Sequence, residues 1–324
     1  IVKVWKVIFI NNLSYDNKLG GGGIRIYCIL KCLVTISSMI GNEATHGAGI
    51  YGSSKGQGIV FVYKVTFINN SATKKKTSKK LAAGGGIQMR NIYNCSIVHS
   101  IFMGNIGQNG GAIKTRNGVI LRFYGNAFVN NSASRQGGAI QAEHISIFSV
   151  RHCVFMQNKM VLCGGAVSLT RVAEFGGGAV SLTRVAVTFF RVKCINNSAL
   201  SDRGGLGGAL YAKSGSTINI YKTTFTDNAA SRSGGGIQME GITNCSVTNS
   251  VFLRCVQGIY AKFCKNMFIS KVAFINNTIS PGDGGGIRVE HFVNYFVAGS
   301  SFIENKAGYG GGFYAELGRL VNVY

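Results

Sequence analysis

The stretch that decides the fold runs from Gly110 to Asn158: GGAIKTRNGVILRFYGNAFVNNSASRQGGAIQAEHISIFSVRHCVFMQN. Two motifs occur in it twice each. Gly-Gly-Ala-Ile stands at Gly110–Ile113 and at Gly137–Ile140, and an aromatic followed by Asn three residues on stands at Phe128–Asn131 and Phe155–Asn158. In both copies 15 residues separate the aliphatic residue from the aromatic one. Self-similarity at a fixed spacing is the mark of a repeat architecture.

Working outward, the same pair covers nearly the whole chain. The aromatic motif recurs at Phe9–Asn12, Phe67–Asn70, Phe102–Asn105, Phe225–Asn228, Phe274–Asn277 and Phe302–Asn305; weaker copies are Met39–Asn42 and Cys194–Asn197, and Phe252 meets Cys255 instead of Asn. The glycine motif ends at Ile24, Ile87, Val167, Val180, Leu210, Ile237 and Ile287, and more loosely at Ile50, Ile259 and Phe313. The step of 15 persists except in Ile50→Phe67, where it is 17, whereas the return step ranges from 7 (Phe252→Ile259) to 20 (Phe67→Ile87). One rigid arc and one elastic arc describe a coil with fixed strands and a loop on one side.

Inside the rigid arc, counted from the aliphatic residue as zero, positions +2, +8 and +10 are small or apolar. Positions +1 and +3 carry Gln, Tyr, Arg, Lys or Glu, as at Gln88, Arg90, Gln141 and Glu143. Such alternation predicts short strands with one face inward, with bends near +5 to +8. The prediction is an all-β chain: a right-handed single-stranded parallel β-helix (solenoid) of about eleven coils, with Phe on Phe and Asn on Asn in ladders. Phe9, Phe67, Phe102, Phe128, Phe155, Phe225, Phe252, Phe274 and Phe302 are expected in one continuous stack. Residues 1–324 read as a single repeat array. Both ends fall inside the pattern and the chain starts at Ile1 without Met, so the array reads as a fragment of something longer.

Composition agrees. Forty-six glycines against the single Pro281 exclude collagen, and 46% hydrophobic content excludes simple disorder. No run of 18 apolar residues exists, so no membrane-spanning helix is expected. Lys and Arg number 34 against 11 Asp and Glu, a formal charge of +23, which favours polyanions: acidic polysaccharide or another polyanionic surface rather than a specific nucleic acid. The run Lys74, Lys75, Lys76, Lys79 and Lys80 lies in the longest return arc, where it is a solvated loop or a polyanion contact.

Nine cysteines lack a CxxC pair and are too scattered for zinc. Cys32, Cys95 and Cys245 occupy the inward +8 position as small hydrophobes. Cys245, Cys255 and Cys264, in adjacent coils, are the ones expected to pair if any do. Seven Asn-x-Ser/Thr sequons begin at Asn12, Asn69, Asn94, Asn130, Asn196, Asn244 and Asn276. In the Asn-Asn-Ser/Thr copies (Asn69, Asn130, Asn196, Asn276) the first Asn is expected to face outward, which permits N-glycosylation. GGAVSLTRVA occurs twice, at Gly164–Ala173 and Gly177–Ala186, and reads as an insertion into one coil.

Paired GGAI (Gly110–Ile113, Gly137–Ile140) and FINN (Phe67–Asn70, Phe274–Asn277) repeats resemble those of the chlamydial polymorphic outer-membrane proteins and of similar secreted metazoan repeat proteins. That resemblance implies a β-helical, adhesive passenger region at the cell surface. It covers most of the chain and speaks for the fold more than for function. The membrane barrel of an autotransporter is not seen here.

The same fold also hosts pectate-lyase-like enzymes, which need clustered carboxylates with Lys, Arg or His, or calcium. The eleven acids are thinly spread. Glu143, Glu240, Glu290 and Glu316 share the outward +3 column with Lys213 and Lys262, which suits salt bridges between coils. His46, His99, His144, His152 and His291 read as isolated, and no cofactor or metal motif appears. The expectation is a non-enzymatic, secreted structural or adhesive solenoid, basic on its surface and able to assemble end to end. The alternative is a carbohydrate-active β-helix enzyme or a dedicated glycan-binding module.

Overall fold

A computed structural model describes residues 1–14, 20–27, 30–72, 84–160, 165–170, 186–200 and 205–324. It is a right-handed parallel β-solenoid whose coils stack in three sheets. The 15-residue arc supplies the first sheet, in which Ile87–Val98, Ile113–Tyr124 and Ile140–Arg151 pair in register, Ile87 on Ile113 on Ile140. Three-residue strands around the aromatic motif form the second sheet, eleven strands deep, which matches the expected coil number. Short pairs such as Ser71–Ala72 and Ser132–Gln136 form the third. At about 4.8 Å per coil the stack is roughly 50 Å long.

One hydrophobic core runs through the stack, filled by positions 0, +2, +8 and +10 and by the aromatic position. The expected bend is sharper than the alternation suggested. A single residue at +4 (Asn91, Asn117, His144, Ser214) takes the left-handed conformation, φ +53 to +56. This turns Ile92 and Ile145 at +5 inward, and the even positions face the core again from +8. Further left-handed residues lie at +12, at the residue two after the aromatic, and at the first motif glycine, where Gly84, Gly110 and Gly137 have φ near +65. Only glycine holds that conformation without a Cβ penalty. The next glycine is needed for a different reason: a Cβ on Gly138 would run into the Gly165 carbonyl oxygen of the next coil.

The Asn of the aromatic motif answers a hydrogen-bond requirement. Asn70, Asn105, Asn131, Asn158, Asn197 and Asn228 are fully buried. Asn131 is representative. Its Nδ2 donates to Phe102 O and to Asn158 Oδ1, both at 3.0 Å, and its Oδ1 accepts from Asn105 N at 3.1 Å and Asn105 Nδ2 at 3.0 Å. Cys255 interrupts the ladder, its N donating to Asn277 Oδ1 at 3.0 Å.

Three expectations need correction. The phenylalanines form two stacks, not one: Phe67–Phe102–Phe128–Phe155, with centroids 4.6–4.9 Å apart, and Phe225–Phe252–Phe274–Phe302, at 4.6–5.0 Å. Cys194 stands between them, in register with Phe155 and Phe225, and Met39 separates Phe9 from Phe67. The +1 residues Gln88, Gln141 and Gln238 point away from the core yet are buried. The end of the return arc folds over two of them: Gln141 Nε2 donates to Gln136 Oε1, and Ser233 Oγ donates to Gln238 Oε1 at 2.9 Å. Cys245, Cys255 and Cys264 are free thiols, because they occupy different columns (+8, +18 and +5) despite lying in adjacent coils. Cys28 and Cys163 lie outside the described residues, as does most of the Gly164–Ala186 duplication; within it Val167 pairs with Ile140 and Leu210 as position zero of its coil.

Candidate polyanion-binding surface

Outward columns are where a solenoid meets a partner. Three of the four +3 glutamates, Glu143, Glu240 and Glu290, are engaged in ion pairs. Glu143 lies 3.4 Å from Arg116 and 3.5 Å from Lys114, Glu240 2.9 Å from Lys213, and Glu290 3.1 Å from Lys262 and 2.6 Å from Arg288. These join neighbouring coils as expected, apart from the Arg288–Glu290 pair within one strand. The column is less outward than the pattern implied, since the Glu290 side chain is only 8% exposed. Burial pushes its carboxyl up, but the Lys262 hydrogen bond and the Arg288 charge outweigh that and hold it below the ordinary range. Among the described residues no three His, Cys, Asp or Glu side chains come together to hold a metal ion.

At the corner between the first and second sheets the picture reverses. Position +12 carries His99, His152, Lys222 and Lys271, and Lys64 and Arg191 take the same place by strand register; all six are left-handed (φ +48 to +54) and exposed, while Gly125 and Asn249 hold the position in other coils. The preceding position carries Tyr63, Tyr124, Phe190 and Tyr221. Together they form a continuous ring contact across coils: Tyr63–His99 at 6.2 Å, His99–Tyr124 at 5.4 Å, Tyr124–His152 at 5.2 Å, His152–Phe190 at 5.5 Å and Phe190–Tyr221 at 5.6 Å. Lys64, Arg191 and Lys222 sit over the rings of Tyr63, Phe190 and Tyr221, each at 5.2 Å, a cation–π arrangement that orders the cations without neutralising them.

His99 and His152 are therefore not isolated. The signal was in the sequence: counted from Ile87 and Ile140, both fall at +12, as do Lys222 counted from Leu210 and Lys271 counted from Ile259. Of the other sites read from sequence, Lys74, Lys75, Lys76, Lys79 and Lys80 lie outside the described residues. Asn69, Asn130, Asn196 and Asn276 are all exposed, on left-handed corners of φ +51 to +53.

Similarities to known proteins bear on the fold. A family model described as a right handed beta helix region matches residues 179–323, and the Chlamydia polymorphic membrane protein repeat matches residues 127–143. The chain is 30% identical over 155 residues to the probable autotransporter YfaL of Escherichia coli (strain K12), an alignment covering 48% of this chain and 10% of that protein. It thus corresponds to a small part of that relative's length. Its fold aligns with PfbA, a surface adhesin of Streptococcus pneumoniae, with a TM-score of 0.46 and 10% identity over 99% of this chain and 85% of that one. The chain is a right-handed parallel β-helix built from repeats like those of the chlamydial polymorphic membrane proteins.

Proposed function

We propose that this solenoid is a non-enzymatic, secreted or cell-surface adhesive rod that binds acidic polysaccharide or another polyanionic surface. The setting is that of the proteins it resembles, a polymorphic membrane protein repeat and a probable autotransporter. One observation carries the ligand class: the corner column, where Lys64, Arg191 and Lys222 sit over rings of a continuous aromatic row, while Glu143, Glu240 and Glu290 of the +3 column are tied up in ion pairs. A linear polyanion laid along the rod meets cations fixed by the coil spacing, and Lys74–Lys80 adds charge from the return arc. Where the chain passes through a glycosylating pathway, Asn69, Asn130, Asn196 and Asn276 are the positions we assign to N-glycans.

Heparin serves as the probe. Its affinity should fall steeply as salt rises. Replacing Lys64, Arg191 and Lys222 together by Gln should weaken it and flatten the salt dependence by roughly one unit of log–log slope per cation removed. Neutralising Lys74–Lys80 should weaken it independently. Retention no stronger than that of a neutral solenoid, or a triple variant that binds like the parent, rejects the reading.

A further inference from the structure

A second outward feature differs in chemistry from everything described so far. On the first sheet, Asn244, Asn266 and Asn294 stand in register at +7. Asn266 Nδ2 donates to Asn244 Oδ1 at 2.9 Å, and Asn294 Nδ2 to Asn266 Oδ1 at 2.8 Å. Two positions along, Phe268 and Phe296 stack at 5.2 Å, 12° from parallel; Asn322 follows in register, and the Tyr324 ring lies tilted at 5.3 Å from Phe296. A shallow groove of about 480 Å³ lies over the two rows. In a chain with 34 basic and 11 acidic residues, no charged side chain lines it.

A primary amide has two N–H donors and an oxygen with two lone pairs. The outer ladder uses one donor and one lone pair where two rungs meet, which leaves donor and acceptor capacity at each rung on the groove side. Phe268 is 41% exposed, so part of this apolar ring stays open beside its stack on Phe296. Paired donors and acceptors beside flat apolar rings, repeated every 4.8 Å or so along the axis, match the hydroxyls and C–H faces of successive sugar units. We propose that this groove binds a neutral saccharide chain lying along the solenoid axis. The absence of charge in the lining excludes the acidic polymer assigned to the corner column, and the two sites share no residue.

The test is calorimetry and saturation-transfer NMR with linear neutral hexasaccharides of glucose and of mannose, run at low and high salt, with heparin binding measured in parallel. Saturable binding of at least one, insensitive to salt, is expected. The Phe268→Ala/Phe296→Ala variant should weaken it about tenfold or more, the loss of stacking on two rings. Asn266→Asp, which keeps the shape but removes the donor, should also weaken it. The triple Gln variant of Lys64, Arg191 and Lys222 should leave it unchanged. Melting curves identify any variant that fails to fold, and Asn266→Asp then stands as the second measurement. No saturable binding, binding that decays with salt, or a double phenylalanine variant that binds like the parent overturns the proposal, whatever heparin does.

Discussion

At the scale of single residues, each Asn-Asn pair combines two different tasks. Asn131 is locked into four hydrogen bonds, whereas Asn130 beside it is exposed and left-handed. Asn131→Ala should cost about 3 kcal/mol or more, because it leaves Phe102 O and the Asn105 amide groups buried and unpaired. Asn130→Gly should change stability by only a few tenths, since glycine accepts that φ at no steric cost. Urea midpoints of the two variants check the contrast, and equal losses would contradict it.

The thiols give a pH prediction. Burial pushes Cys32, Cys153 and Cys264 up to about 11, and Cys95 and Cys255 to about 12. A folded pKa above the unfolded one means that stability is complete below the ordinary value of 9.0 and is lost as pH rises toward those raised values. Unfolding midpoints should therefore fall between pH about 9 and about 11, and the seven described thiols should resist a disulfide reagent until urea is added. A flat profile over that window, or prompt reaction of all nine cysteines in the native protein, contradicts it. The buried Asn was legible from its spacing to Phe. The burial of Gln141 and Gln238 was not, because it depends on an arc that returns from elsewhere in the coil.

At the scale of elements, the step between motifs contained most of the fold. Its one exception has a physical explanation. Ser53 pairs with Arg90 and Ile59 with Asn94, so five residues on one coil face three on the next. Gly56, at φ +97, turns this bulge outward, and a Cβ there would meet nothing within 4 Å. Deleting Lys55 and Gly56 together should restore the regular step and leave stability within about 1 kcal/mol. Deleting Ser149 alone should abolish folding, because a shift of one residue turns Phe148 or Val150 outward. Circular dichroism melts of both deletions check this. What the pattern did not contain was the parity switch at +4: one left-handed residue moves Ile92 inward although a strict alternation from Ile87 faces it out. For the same reason the binding columns stayed hidden. His99, Tyr124 and His152 are neighbours only once the register is counted across coils.

At the scale of the whole molecule, the segment's first and last coils expose apolar side chains that inner coils cover. Trp5 is 62% exposed, and Phe9 and Phe302 are only partly buried while the other phenylalanines of the aromatic motif are sealed. Prepared alone, the 324-residue segment should stack end to end, extending the Phe and Asn ladders across the junction and giving filaments rather than closed rings. Light scattering that grows with concentration, with rods in negative stain, is expected. A monodisperse monomer at high concentration contradicts it.

The backbone hydrogen bonds between coils, from Asn69 N to Met103 O or from Gly104 N to Val129 O, run along the rod rather than across it. For a rod held at one end while a bound surface pulls on the other, this direction governs the mechanics. Tension loads one inter-coil seam at a time, as a zip is opened, and coils interact only with their neighbours. The molecule should therefore yield in small successive steps under modest force. Each step pays out one coil, 26 residues between Ile87 and Ile113, or roughly 90 Å of chain. Tweezers attached at the two termini should record a ladder of such steps, and a single rip of the full contour length would show that the coils fail together.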